Sequence, residues 1–214
     1  WNGVRVEEMA TPEAFARRPR EVAAWYDWRR QQMAGVRPNA AHHILASWGL
    51  RFPRFTLITQ NVDGLHERAG SPGVLRMHGS IWDVSCWRRC AAAPARWRDE
   101  TVPWPELPPP CPYCGGPLRP GVVWFGEPLD ADVLQRGLDA TDCDVFLTIG
   151  TSAVVYPAAG LVDLARAHGA CTIEVNPEAT PASTGVDVAV ALPAEDALPA
   201  LDARLGRHPL ALET

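Results

Sequence analysis

Phe55-Thr56-Leu57-Ile58-Thr59-Gln60-Asn61-Val62-Asp63-Gly64-Leu65-His66 runs from an apolar stretch directly into an amide, a carboxylate and a histidine. The apolar part, residues 55–58, reads as a buried strand. Polar groups at the carboxyl end of a parallel strand are where open α/β sheets bind ligands. A second histidine, in His78-Gly79-Ser80, is followed at once by glycine, the setting of a general base more than of a packing residue.

Further runs of short, apolar, β-branched character occupy residues 145–149, 172–175 and 186–192. A helical pattern over 157–168 separates the first two of these. Strand, helix and strand in alternation predict a parallel sheet covered by helices. Ahead of residue 55 the pattern is helical from 12 to 48. Thr11-Pro12-Glu13 supplies an N-cap and a proline for the first turn. Val22, Trp25, Tyr26, Arg29 and Met33 recur at three-to-four spacing, an amphipathic face, and Pro38-Asn39-Ala40 restarts a third helix to about Trp48. Residues 83–118 have no period and are rich in Pro, Arg, Trp and Cys. The expectation for them is an insertion that needs a metal in place of a core of its own. A closing helix is expected over 195–205.

The chain has 214 residues, 47% of them hydrophobic, enough for a core. A net charge of −5 gives no support to a broad nucleic-acid surface. No run of 18 apolar residues is present, so no helical membrane span is expected.

Four of the six cysteines fall in two close pairs, Cys86/Cys90 and Cys111/Cys114, with twenty residues between the pairs. Two such pairs can deliver four thiolates to one tetrahedral zinc, and a site with four protein ligands is structural. Unrelated buried thiols are the other reading. Gly115-Gly116 after the second pair supplies the turn that lets amides face the sulfurs. Cys143 and Cys171 are expected to be small buried hydrophobes. Thiols used in this way predict a reducing, cytoplasmic setting.

Taken together, Pro38-Asn39-Ala40-Ala41-His42, the Gln60 and His78 blocks, the cysteine pairs, and the segment from Arg119 to Glu127 resemble sirtuins in identity and in order. So do Gly150-Thr151-Ser152 and Glu174-Val175-Asn176-Pro177. Sirtuins are NAD-dependent protein-lysine deacylases. The resemblance implies a Rossmann-like parallel sheet with helices on both faces, plus a small helical and zinc-binding lobe. It divides the chain into a large NAD-binding domain, 49–82 and 119–214, and a small domain made of a helical module, 1–48, and a zinc module, 83–118. It further implies His78 as the base that takes a proton from a ribose hydroxyl, a task suited to imidazole near neutral pH.

In the same reading Asn61 and Asp63 recognise the nicotinamide carboxamide and Gln60 orients the adjoining ribose. Gly150, Thr151 and Ser152 hold phosphate or ribose oxygens and Asn176 contacts the adenosine ribose. Val123, Phe125 and Gly126 belong to the loop that pairs with the substrate backbone. The cysteines Cys86, Cys90, Cys111 and Cys114 match the structural zinc site, although sirtuins usually have two residues inside each pair and Cys86/Cys90 enclose three. Tyr26 and Arg29 match the Tyr-x-x-Arg pair of class III sirtuins, which prefer malonyl, succinyl and glutaryl lysine. A guanidinium and a phenol suit a terminal carboxylate. His66 is expected to be structural.

Sirtuins begin their nucleotide-binding half with a strand and a Gly-Ala-Gly loop. This sequence opens at Trp1-Asn2-Gly3-Val4-Arg5-Val6-Glu7-Glu8, which matches the region after them. Two expectations therefore stand beside each other: a deacylase whose recorded chain lacks that segment, and a catalytically incompetent fragment that binds acyl-lysine peptides. A mono-ADP-ribosyltransferase is a further alternative, and a zinc-ribbon nucleic-acid binder a weaker one. The partners expected are acylated-lysine proteins, acting on a monomer, with no membrane and no specific nucleic acid.

Overall fold

A computed structural model describes residues 5–152 and 155–206. Residues 1–4, where the comparison of the chain's opening with sirtuins begins, lie outside the described residues, as do 153–154 and 207–214. In chain order the elements are α1 (Val6–Met9), α2 (Pro12–Arg17), α3 (Pro19–Ala34), α4 (Ala40–Arg51), β1 (Ile58–Thr59), α5 (Leu65–Arg68), β2 (Leu75–Arg76) and β3 (Gly79–Cys86). They continue with β4 (Trp97–Arg98), β5 (Leu118–Val122), α6 (Ala131–Asp139), β6 (Val145–Ile149), α7 (Leu161–Ala167), β7 (Cys171–Val175), β8 (Val188–Val190) and α8 (Ala194–Leu205).

Two compact units emerge. The first comprises Trp1–Arg37, Thr59–Gly64 and Arg76–Ala131. Its α2 starts as the sequence predicts: Thr11 Oγ1 accepts from Ala14 N–H at 3.0 Å and Pro12 opens the helix. The 83–118 region departs from expectation. It is spanned by an antiparallel sheet in the order β4-β3-β5, and its residues share a core with the helices. Val84, Trp104 and Leu118 cluster there with Phe15, Val22, Trp25 and Trp124. The Phe15 ring lies 5.0 Å from Trp87 and 5.4 Å from Trp124. So this region shares an apolar core with α2 and α3 and adds its cysteines to it.

One cation inside this core was not foreseen. Arg30 is fully buried, stacked 4.5 Å from the Trp104 ring and 5.4 Å from Trp82. It donates to the Asp99 carboxylate and main-chain carbonyl. Asp27, one turn earlier on α3, accepts from Trp104 N–H at 2.7 Å. Burial lowers the Arg30 pKa, and the Asp99 and Asp27 carboxylates oppose that shift. The pairing makes the buried charge tolerable and fastens residues 99–104 to α3.

The second unit comprises Pro38–Ile58, Leu65–Leu75 and Asp132–Thr214. Its sheet is parallel, ordered β6-β7-β8, as the apolar runs predict. Helix α7 makes the crossover between β6 and β7. Leu198 of α8 is fully buried against Ala41, Leu45 and Trp48 of α4, with Leu147 and Ile149 packed on them. Trp48 Nε1–H donates to Asp202 at 2.7 Å, locking α4 to α8. Asn39 caps α4 in a reciprocal pair with His42.

Two expectations are corrected here. The strand expected over 55–58 is reduced to Ile58–Thr59, because Pro53 and Arg54 form a turn and Phe55 and Leu57 pack onto the α4–α8 cluster. Cys143 is half-buried and Cys171 exposed at the start of β7, so neither is a core residue.

Candidate active site and zinc centre

Every residue from Gln60 to Asp63 is tied by its main chain. Gln60 O lies 3.1 Å from His78 Nδ1, and Asn61 N–H donates to Thr59 Oγ1 at 3.1 Å. Val62 O accepts from Ile81 N–H at 2.8 Å. Asp63 O accepts from Trp82 Nε1–H at 2.6 Å. The positive φ of Gly64, 75°, ends the segment. Two consecutive positions of β3, Ile81 and Trp82, and the histidine that leads into it thus hold the backbone from which the Asn61 and Asp63 side chains extend.

A carbonyl oxygen only accepts, so the Gln60 bond requires the proton on His78 Nδ1 and leaves the lone pair on Nε2. That is the tautomer of a base. His78 is half-buried, and burial lowers its pKa, opposed by the hydrogen bond to Gln60. The neutral form therefore prevails at neutral pH. Gly79 is required beside it: φ is +75°, and a Cβ there would lie 2.2 Å from Gly121 O. The close crossing of β3 and β5 at this point sets the position of the histidine, whose own carbonyl accepts from Val123 N–H at 2.9 Å.

Downstream of β5, Val123 and Phe125 alternate with the buried Trp124. Phe125 is 47% exposed, Val123 half-buried. Trp124 Nε1–H donates to Tyr26 Oη at 2.9 Å. Arg119 anchors the turn at Gly126: it bonds the Glu127 carboxylate through both Nη1 and Nη2, and its guanidinium stacks 3.5 Å from the Trp124 ring. Although burial pushes it upward, these bonds hold the Glu127 carboxyl below its usual range.

Tyr26 and Arg29 of α3 do converge. The Arg29 guanidinium lies 4.6 Å from the Trp25 ring and 5.5 Å from the Tyr26 ring. Burial pushes the Tyr26 hydroxyl up to about 12, so it stays a phenol, and burial also lowers the Arg29 pKa. Tyr26 Oη accepts from Trp124 and keeps a proton to donate.

In the second unit, Gly150, Thr151, Ser152 and Asn176 line one cleft of about 410 Å³ at the carboxyl ends of β6 and β7. Gly150 has φ +58°, and Asn176 Nδ2–H donates to Thr151 O at 3.0 Å, joining the two loops. Glu174, buried just before, accepts from the Thr180 and Ser183 hydroxyls and holds the loop that forms the cleft's other wall. The sequence names Glu174 within a motif but gives it no role, because a carboxylate inside an apolar strand carries no local sign of its partners. His66, by contrast, is buried against the His42 ring at 4.8 Å, a packing role.

The four sulfurs of Cys86, Cys90, Cys111 and Cys114 lie within 4.8 Å of one another. Cys86 and Cys114 are 3.6 Å apart, Cys90 and Cys111 4.0 Å. Four thiolates at about 2.3 Å from one zinc stand about 3.8 Å apart, so the set fits tetrahedral zinc. Gly116 N–H points to Cys114 Sγ at 3.4 Å, and Gly115 has φ +69°. The extra residue between Cys86 and Cys90 does not prevent convergence. It places Arg89 at φ +49°.

Residues 1–157 match the family model described as Sir2 family. The NAD-dependent protein deacylase of Aquifex aeolicus (strain VF5) is 52% identical over 189 residues, 88% of this chain and 77% of that protein. This chain belongs to the Sir2 family. The NAD-dependent protein deacylase of Mycobacterium leprae (strain TN) is 44% identical over 206 residues, 96% of this chain and 86% of that one. Among solved structures, a Sir2 homolog–NAD complex is similar at TM-score 0.88 and 41% identity, covering 96% of this chain and 79% of that one. Sir2 bound to acetylated peptide is similar at TM-score 0.84 and 27% identity, covering 93% and 84%. What the sequence does not show is the supporting roles: Trp82, Arg119 and Glu127 hold the loops on which the recognised motifs sit.

Proposed function

We propose that this protein is an NAD-dependent protein-lysine deacylase that releases nicotinamide and O-acyl-ADP-ribose. The observation that carries this reading is the His78–Gln60 bond, which ties a histidine suited to act as a base to the segment bearing Asn61 and Asp63. Its relatives carry the deacylase name, and a similar structure holds NAD.

NAD, when bound, supplies an activated ribose carbon. His78 Nε2 accepts the proton of a ribose hydroxyl, and the Gln60 carbonyl stabilises the imidazolium that forms. Asn61 and Asp63 orient the carboxamide, and Gln60 the ribose. Gly150, Thr151, Ser152 and Asn176 offer amides, hydroxyls and a side-chain amide to the adenosine and phosphate portion. Val123, Phe125 and Gly126 carry the acyl-lysine segment by main-chain pairing. Zinc held by the four cysteines is structural and offers no open ligand position.

For the acyl group, Tyr26 and Arg29 favour a terminal carboxylate, so succinyl, malonyl and glutaryl lysine are preferred over acetyl. A stacked, partly desolvated guanidinium beside a phenol proton recognises an anion better than a methyl group. The reading adds a monomer acting in the cytoplasm, where four free zinc thiolates survive. Among the described residues no helix is long and apolar enough to cross a membrane.

Competition between equimolar acetyl- and succinyl-lysine peptides, with zinc-loaded protein and NAD, tests the whole reading by mass spectrometry. O-succinyl-ADP-ribose exceeding O-acetyl-ADP-ribose is expected. Acetyl product in excess contradicts the acyl assignment, and ADP-ribose attached to protein in place of either product supports transferase chemistry.

A further inference from the structure

Beside the first cysteine pair lies a cleft of about 570 Å³ that the chemistry above does not use. Arg89, Arg96, Arg119 and Glu127 line it together with Cys86, Cys90 and Val123. Arg119 and Glu127 neutralise one another. Arg89 and Arg96 are exposed; the Arg89 charge helps lower the Glu127 pKa, and Arg96 Nη1 lies beside Gly79, where a Cβ would meet it at 3.0 Å.

Arg89 is also the one non-glycine at positive φ among the described residues. An L residue is disfavoured in this region, so an asparagine or glycine would be the easier choice. A strained arginine at the mouth of a cleft is a reason to look for a ligand. The cleft is also lined by the small, apolar Ala91, Ala93, Pro94 and Ala95, which suits a peptide more than a nucleic-acid backbone. The chain's overall charge of −5 points the same way. The other end of the cleft reaches Val123, the first residue of the segment assigned above to the acyl-lysine chain.

We propose that Arg89 and Arg96 form a second recognition site, which selects acylated lysines flanked by aspartate or glutamate in the substrate protein. This rests on the deacylase reading for its function, but not for its binding. Two cations at the rim attract an acidic flank at long range and pair with it on docking, while the acyl-lysine enters at Val123. The selection is electrostatic and therefore fades in high salt.

Two readouts separate this proposal from the deacylase assignment. Fluorescence anisotropy compares fluorescein-labelled acyl-lysine peptides whose flanks carry either aspartates or alanines, in low and high salt. The acidic peptide is expected to bind about three- to tenfold more tightly in low salt, with the difference lost in high salt. In the R89G/R96S double variant the two peptides are expected to bind alike. Glycine accepts the backbone of residue 89 without strain, and an unchanged thermal midpoint checks that the fold is kept. Equal binding of both peptides by the unmodified protein overturns the proposal, as does an acidic preference that survives in R89G/R96S. Tighter binding of single-stranded RNA than of the acidic peptide at the same salt also overturns it. Turnover, measured in parallel by product mass, reports on the deacylase reading alone: a binding preference without any product leaves the cleft assignment standing and removes the enzyme.

Discussion

His78 Nδ1 and the main-chain carbonyl of Gln60 lie 3.1 Å apart, so the imidazole is fixed by the segment that carries Asn61 and Asp63. One hydrogen bond sets both the tautomer of the base and its distance from that segment. Two consequences can be measured.

Replacing the imidazole removes the base without disturbing the β3–β5 crossing, which depends on Gly79 and Gly121. H78A is expected to lower kcat by about 10²- to 10⁴-fold with an unchanged circular dichroism spectrum. Retention of most of the activity would move the base elsewhere.

The direction of the His78 shift sets the acid limb of the pH profile. Burial lowers its pKa, so the neutral, proton-accepting form persists to lower pH than for a free histidine. The rate is expected to hold from neutral pH downward and to fall only once pH drops through that lowered value. A profile of kcat/KM against pH that bends above the ordinary histidine range would contradict this.

Trp82 tests the pinning of the loop. W82F keeps an aromatic ring against Arg30 but removes the Nε1–H that Asp63 O accepts at 2.6 Å. A half-buried carbonyl that loses its donor costs up to about 1–3 kcal/mol. The KM for NAD is expected to rise about fivefold to a hundredfold, with the KM for peptide little changed. A parallel rise in both would mean that Trp82 supports the fold at large.

A substitution at Arg29 tests the acyl class. A charge-assisted bond to a carboxylate contributes about 1.5–3 kcal/mol, so R29M is expected to cut desuccinylation about ten- to a hundredfold and deacetylation much less. Equal losses on both substrates would show that Arg29 does not read a carboxylate.

Much of this was legible in the sequence, for reasons that differ by element. The parallel strands Val145–Ile149 and Cys171–Val175 are apolar and β-branched, and Thr11-Pro12 marks its helix start with a cap that the structure forms. Gly150, Thr151, Ser152 and Asn176 were named separately and line one cleft. The β3–β5 sheet stayed hidden because Gly79–Cys86 is largely buried on both faces, which erases the alternation of a half-exposed strand. Arg30 stayed hidden because its partner, Asp99, is 69 residues away, and no local pattern tells a paired buried arginine from an exposed one.

The central claim is tested most directly by counting products. The zinc-loaded protein is incubated with NAD and a succinyl-lysine peptide, and nicotinamide, free-lysine peptide and O-succinyl-ADP-ribose are quantified together over time. Equal molar amounts of all three, abolished together in H78A, are the predicted result. Nicotinamide formed without peptide deacylation, or no nicotinamide at all, would contradict the account.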